Sequence, residues 1–411
     1  MDNRKKIIND PVFGFISVPN DFIYEIINHP YVQRLTRIKQ LGLAFNVYPG
    51  AVHTRFHHSI GAMHLMSEAI AQLRSNGHSI SEEEKMSAMA CILMHDIGHG
   101  PFSHVLENTL VRGIHHEDIS LMLMNRINAE MHNQLDTAIA IFTDTYPKRF
   151  LHQLVSGQLD VDRLDYLRRD SFFTGVTEGN IGSARIIKML NIKDDRLVVE
   201  AKGIYSIENF LMARRLMYWQ VYLHKTSVAA EKMLVNILQR GRSVARNSLT
   251  GNAPALFASP ALHYFLSNNV DRNVFLNDPQ ALQAFVDLDD NDIWSALKVW
   301  VQHPDKVLSL LSASLLNRHL FKIEIQSKPF APEYWAEKQQ HFEQKYQLTS
   351  EEAAFLISAD EVSTDMYNEA DDSIGILCKD GNVKDISTAS DMLNIQLLSK
   401  KIKKYYFCFF T

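Results

Sequence analysis

The sequence predicts a mainly α-helical fold: a large helical domain over residues 1–250, followed by a smaller C-terminal α+β region over 251–411. Three observations predict it. Long stretches without Gly or Pro carry apolar residues at helical spacing, most plainly 81–94 and the interval between Gly203 and Gly241. Strand-like runs gather after the character changes near residue 255, at 321–325, 373–377 and 405–410. A chain of 411 residues is also too long for one small core.

Residues 5–20 read as a short strand and turn, punctuated by Asp10-Pro11 and Gly14. Asn20 or Asp21 then caps a helix through Ile27. Pro30 opens the next helix, with Val32, Leu35, Ile38 and Leu41 at helical spacing, and Gly42 ends it. The Pro49-Gly50 loop leads to Thr54, where a helix begins whose apolar stripe is Leu65, Ala69 and Leu73. The helix from Ser81 carries Glu82, Glu83 and Glu84 in its first turn, where the helix dipole favours negative charge. It runs into His95-Asp96-Ile97-Gly98-His99-Gly100-Pro101, and His95 and His99 share a helix face if the helix persists that far. Another helix follows Ile114-His115-His116-Glu117. Residues 160–170 are strongly charged, yet Val161, Leu164 and Leu167 make one buried stripe on a polar helix. Gly175, Gly179 and Gly182 mark a loop, and 196–200 is a short strand. The interval 203–241 predicts one long helix carrying Arg214, Arg215, Tyr218, Tyr222 and Lys225; 268–301 also reads as helical.

Composition is that of an ordinary globular protein, 46% hydrophobic and 22% charged. A net charge of -5 argues against nucleic acid as a partner. It admits a small anionic substrate, because a pocket can be basic on an acidic protein. Cys91, Cys378 and Cys408 are far apart, match no zinc-finger spacing and read as reduced thiols. The polar first residues contain no secretory signal, and no apolar run approaches the ~18 residues that a membrane span needs. The expectation is a soluble cytoplasmic protein without a membrane partner.

The histidines are unevenly placed. Of 18, those at 53, 57, 58, 64, 78, 95, 99, 104, 115 and 116 fall in one region, a density that favours a site. His58, His95, Asp96 and a distant carboxylate such as Asp162 would hold one divalent ion and leave positions open for water and substrate. A mixed His/Asp shell without cysteine suits Mn, Fe, Ni, Zn or Mg. His99, His104 and His116 are then candidate acids or bases, with Glu107 placed to orient His104. Arg55, Arg163, Arg214 and Lys225 are cations that suit a polyphosphate if they converge, and solvated surface charges if they do not. Tyr166 and Tyr222 read equally as walls for a sugar or base and as amphipathic core residues. His57, His64, His115 and His132 read as structural or exposed.

Three segments carry a family resemblance. They are Gln33-Arg34-Leu35 through Ile38-Lys39-Gln40-Leu41-Gly42 to Arg55-Phe56-His57-His58-Ser59; His95-Asp96-Ile97-Gly98-His99-Gly100-Pro101-Phe102-Ser103-His104; and Asp160-Val161-Asp162-Arg163-Leu164-Asp165-Tyr166 with Arg169-Asp170. Together they resemble the HD-domain metal-dependent phosphohydrolases, and within them the deoxynucleoside-triphosphate triphosphohydrolase branch. The resemblance runs from about Lys6 to Lys225 and implies an HD-type helical core. It implies His58, His95, Asp96 and Asp162 as metal ligands, and His99, His104, Glu107 and His116 as the catalytic group, with His104 donating the proton. Arg55, Arg163 and Arg214 would hold the triphosphate. Gln40, Tyr166 and Asp170 would contact the sugar, and Tyr222 would pack where a 2′-hydroxyl would clash. The implied reaction releases a deoxynucleoside and inorganic triphosphate. The alternatives are a phosphomonoesterase or phosphodiesterase acting on another nucleotide, and a non-catalytic nucleotide sensor.

The resemblance also implies a homo-oligomer, dimer or tetramer, with residues 251–411 as an accessory or oligomerisation region. Lys6, Asn9, Lys202 and Lys225 fit the branch's regulatory positions and leave room for a nucleotide effector. Asn28, Thr36, Glu200 and Ser206 depart from the residues with which the vertebrate members read theirs.

Overall fold

The computed structural model describes residues 6–111, 113–249, 255–364, 373–391 and 402–411, without the side chains of His104, Asn108, Leu249, Ser363, Thr364 and Ile402. Strands β1 (Lys6–Asp10) and β2 (Gly14–Val18) form an antiparallel hairpin. Asp10 shapes its turn by accepting the N–H groups of Val12 and Phe13. Helix α1 (Asp21–Asn28) begins at Asn20, whose side chain accepts from the Ile23 amide.

The helix predicted from Pro30 to Leu41 stops early. Helix α2 (Pro30–Gln33) gives way to a 3-10 turn at Arg34–Arg37, and Ile38 is extended at φ -117°, ψ 117°. Distant partners claim this backbone. The Arg34 guanidinium donates to the carbonyls of Ile97, His99 and Leu288, the Lys39 amide to Asp290, and the Gln40 amide to the His53 carbonyl. A continuing helix would break that set, so tertiary bonding overrides the apolar periodicity.

The helical core follows: α3 (Arg55–Ser75), α4 (Glu82–Met94), α5 (Ser103–Thr109), α6 (His116–Glu130), α7 (Asp136–Phe142), α8 (Arg149–Val155) and α9 (Val161–Thr174). Every residue of α4 from Met86 to Met94 is buried, so this helix runs through the middle of the core. Its start is fixed by a capping box between Ser81 and Glu84. Helix α9 is capped by Asp160, and Val161, Leu164 and Leu167 are buried as their spacing predicts.

After α10 (Ser183–Met189), β3 (Leu190–Lys193) and β4 (Arg196–Glu200) comes the stretch expected to be one helix. It is two, α11 (Ile204–Met217) and α12 (Lys225–Leu249), separated by a π-turn over Tyr218–Tyr222. A π-turn needs neither Gly nor Pro; here it lets Tyr222 reach Asp170, 2.8 Å away on α9. The helical reading of 268–301 likewise resolves into α14 (Arg272–Asn277), α15 (Pro279–Asp287) and α16 (Asp290–Trp300), which follow α13 (Pro260–Ser267). Asp271, Asp278 and Asp289 divide them, each accepting an amide of the following first turn.

The remaining elements are α17 (Lys306–Leu316), β5 (Lys322–Gln326), α18 (Pro332–Tyr346), α19 (Ser350–Ala354), β6 (Ile357–Thr364), β7 (Gly375–Leu377), β8 (Val383–Asp385), α20 (Ile386–Ala389) and β9 (Ile402–Phe409). Strands run in the orders β3-β4-β7-β8 and β5-β9-β6. The β4–β7 pair is parallel and joins 375–377 to 198–200. On the other sheet, Asn236 of α12 donates to the carbonyls of Phe355 and Ile357. The buried apolar side chains form one continuous cluster from Ile16 to Phe410. Among the described residues no helix is long and apolar enough to cross a membrane.

Candidate active site

Two histidines define the centre. His58 lies one turn into α3, facing α9, and its Nδ1 is 2.7 Å from Asp165 Oδ2. Asp165 is held by Arg169 through two bonds of 2.9 Å, and Arg169 also donates to Asp10 at 2.7 Å. All of these side chains are buried. His95 directly follows α4, and its Nδ1 is 2.6 Å from the Ile92 carbonyl. Each Nδ1 is thus engaged and each Nε2 faces the centre, the orientation that prepares imidazole for a metal. Both Nε2 atoms are buried without a hydrogen-bond partner.

The carboxylates complete the cluster. Asp162 Oδ1 is 3.0 Å from His58 Nε2 and 3.5 Å from His95 Nε2. Asp96 stands 3.3 Å from His95 Nε2 and 3.9 Å from His58 Nε2. His58, His95 and Asp162 bring their ligand atoms close enough to hold a divalent cation, with Asp96 beside them and shared with a second such group, Asp96, His99 and His116. Burial lowers the affinity of His58 for a proton, but Asp162 and Asp165 outweigh it and hold the ring at about 10. Burial would raise Asp162, yet His58 and His95 hold it well below the usual carboxylate range.

A neighbouring group shares Asp96. His99 Nε2 is 3.4 Å from Asp96 Oδ1, and the His99 ring stacks on His116 with centroids 3.9 Å apart. His116 Nδ1 is 3.6 Å from Glu107 Oε1, and its Nε2 is 3.3 Å from Glu117. Burial, reinforced by Arg55, pushes His99 down to about 3, so it is neutral at pH 7. Helix α4 ends at Met94, so His95 and His99 do not meet through a shared helix face as the spacing suggested. A tight turn brings His99 round, with its amide bonded to the Asp96 carbonyl. Gly98 lets this turn approach α6: its amide donates to Ser120 Oγ, and a Cβ there would collide with the backbone of His116 and Ser120.

A cavity of about 480 Å³ opens over both groups. Gln40, Arg55, Asp96, His99, His116, Asp162, Tyr166, Asp170 and Tyr222 line it. Arg55 donates to Asp96 at 2.7 Å and to Ser103 at 3.2 Å. Asp170 meets Tyr222 Oη at 2.8 Å and His53 Nε2 at 2.7 Å. Arg163, Arg214 and Lys225 are not part of the wall. Arg163 binds the Gly157 carbonyl and Asp160, and Arg214 binds Gln158. Both stand within electrostatic reach of Tyr166, which burial raises to about 12. The His104 side chain lies outside the described residues. Of the regulatory positions, Lys6 pairs with Asp21 and Lys202 with Glu200, while Ser206 accepts from Arg185; none lines the cavity. Sequence reasoning missed Asp165, Arg169, His53 and Lys39. The first two were readable in principle, three and seven residues after Asp162 on one helix face. His53 and Lys39 carry no local signal.

The HD domain model matches residues 55–170, and the HD associated region model residues 181–250. An uncharacterized protein of Mycoplasma pneumoniae is 32% identical over 346 residues, covering 77% of this chain and 78% of its own. A solved phosphohydrolase from Bacteroides thetaiotaomicron is 61% identical, with a TM-score of 0.96 over 99% of this chain and 100% of that one. The chain belongs to the HD-domain phosphohydrolases. The deoxynucleoside triphosphate triphosphohydrolase SAMHD1 homolog of Dictyostelium discoideum is 32% identical over 250 residues. That match covers 56% of this chain and 48% of the relative, so it spans about half of each. The HD model takes in α3 through most of α9, the elements that carry both histidine groups, and the associated region takes in the π-turn.

Proposed function

We propose that this HD-domain hydrolase converts deoxynucleoside triphosphates into deoxynucleoside and inorganic triphosphate. The observation that carries the reading is the composition of one cavity wall. The His/Asp centre and Arg55 stand at one part of it, and the Tyr166–Asp170–Tyr222 group stands beside them. Polyphosphate chemistry and a sugar-sized polar subsite are thus contiguous. The name of the Dictyostelium relative supports the same substrate class.

His58, His95, Asp96 and Asp162 would hold a divalent ion, which when bound lowers the pKa of water and polarises a phosphoryl oxygen. Asp165 and the Ile92 carbonyl orient the two imidazoles toward it. Arg55, tied to Asp96, offers a guanidinium to the phosphates. A water oxygen bonds to the α-phosphorus while the bond from phosphorus to the sugar 5′-oxygen breaks. The leaving oxygen takes a proton, a role assigned to His104 on the family resemblance. The His99–His116 pair, with Asp96 and Glu107 beside it, takes the proton from the attacking water. Tyr222, fixed by Asp170, packs against the deoxyribose where a 2′-hydroxyl would intrude. Lys6, Asn9, Lys202 and Lys225 would serve a nucleotide effector, and the working form would be a homo-oligomer.

Product analysis tests the reading. Metal-reconstituted protein is incubated with each dNTP, alone and in pairs, with Asp162→Ala as control. Inorganic triphosphate and deoxynucleoside, absent in the variant, are expected; pairs show whether one nucleotide activates hydrolysis of another. Orthophosphate, pyrophosphate or no product would overturn it, and turnover of a nucleoside monophosphate would move the chain to a phosphomonoesterase role.

A further inference from the structure

The cavity does not end at the sugar group. One face of α12 continues its wall through Ser227, Val228, Glu231, Lys232 and Val235, roughly 12 Å along the helix axis. Opposite stand Val362 of β6 and Tyr406 of β9, from the C-terminal sheet. These two strands lie beyond residue 250, outside both matched family segments. The extension is long enough for a heterocycle attached to the sugar, and its lining mixes valines and the Tyr406 ring with Ser227, Glu231 and Lys232.

Lys232 is its cation. Its Nζ is 2.9 Å from Asp360 Oδ2 on β6 and 5.5 Å from the centre of the Tyr406 ring. The side chain is only 18% exposed, so the ammonium is held rather than free to swing. Strand β9 also braces the π-turn: Lys404 Nζ lies 4.0 Å over the Trp219 ring, within the turn that presents Tyr218 and Tyr222 to the cavity. The same strand thus forms one wall and supports another.

Resting on the dNTP reading above, we infer that the C-terminal sheet completes the nucleobase subsite, with Lys232 as the residue that favours bases presenting an oxo group. An ammonium donates hydrogen bonds and never accepts them. Guanine and thymine carry an oxo group on the base edge remote from the sugar, where adenine and cytosine carry an amino group. Among the described residues one ammonium proton is committed to Asp360, and two remain for the ligand. Val228, Val235, Val362 and the Tyr406 ring supply apolar contact that does not distinguish among the bases.

The test is kcat/KM for the four dNTPs, each pair in competition, with wild type, Lys232→Met and Lys232→Arg. Lys232→Met keeps the apolar stem and leaves Asp360, 51% exposed, in solvent, so the fold is preserved. The expected result is a wild-type preference for dGTP over dATP and dTTP over dCTP that shrinks about tenfold in Lys232→Met and keeps its direction in Lys232→Arg. Two results overturn the inference while leaving dNTP hydrolysis standing: no oxo preference in wild type, or an equal loss on all four substrates in Lys232→Met, as a structural defect would give. Absence of any dNTP turnover by wild type removes the parent reading and the subsite with it.

Discussion

Replacing Gly61 by Ala tests whether α9 is seated on α3 as described. In an exposed helix interior this change stabilises by about 1 kcal/mol, because Ala loses less backbone entropy. Here the sign is expected to reverse. A Cβ at Gly61 would fall inside contact distance of Asp165 Oδ1 and Arg169 Nη2 and within 2.9 Å of Asp165 Cγ. The obstructing atoms belong to a buried, doubly hydrogen-bonded ion pair, not to a flexible side chain in solvent. Either α9 moves outward or the pair separates. Overpacking costs about 1–3 kcal/mol, and breaking a buried pair about 3–5 kcal/mol. Set against the helix gain of about 1 kcal/mol, a net loss of up to about 2 kcal/mol follows if α9 moves and of about 2–4 kcal/mol if the pair separates, read as a lower urea midpoint at unchanged slope. Because Asp165 orients His58, metal affinity measured by chelator competition should also fall, by about 10- to 100-fold. Stability equal to or above wild type would refute the packing of α9 on α3 and the role given to Asp165.

Three further outcomes follow from the same contacts. Asp165→Asn keeps the shape but removes the charge facing Arg169; a double-mutant cycle with Arg169→Met should give a coupling above about 1 kcal/mol, and additivity would deny the pair. Burial raises the Asp290 carboxyl from 3.8 to about 6 despite Lys39, so the folded state holds its proton more tightly than the unfolded chain. Its favourable contribution is complete below 3.8 and is lost as pH rises through about 6, a difference of about 3 kcal/mol. Asp290→Asn should therefore raise the urea midpoint at pH 8 and leave it nearly unchanged at pH 4, whereas equal shifts at both would contradict it. Finally, a divalent ion at about 100 times its Kd should add about 2.7 kcal/mol of stability. The gain should vanish on chelation and in Asp162→Ala, and an unchanged gain in that variant would place the ion elsewhere.

The features legible in the sequence were those written in neighbouring residues. Asn20 and Ser81 marked helix starts because a cap acts within three residues. The apolar run 86–94 marked a central helix, and 161, 164 and 167 marked its polar neighbour, because burial follows helical periodicity. The His95-Asp96 pair and the density of histidines singled out the region of the site, since such residues are costly to bury without partners.

What the tertiary structure alone decided depends on segments far apart in the chain. Ile38 is extended and the 30–41 helix is cut short because Arg34 and Lys39 are claimed by carbonyls and carboxylates near residues 97 and 290. Nothing local in 203–241 forecasts a π-turn whose purpose is a bond from Tyr222 to Asp170. Asp165 is one more acid on a charged helix until α3 brings His58 to 2.7 Å, and Tyr406 is one more strand aromatic until β9 folds over α12. The sequence by itself determined the helical character of the domain, some of its caps and the residue types of the centre, because those follow from interactions within a turn or two. Which way His58 faces, where the 30–41 and 203–241 helices break and what closes the cavity were decided by contacts between segments 52 to 254 residues apart, whose energies have no signature in local spacing.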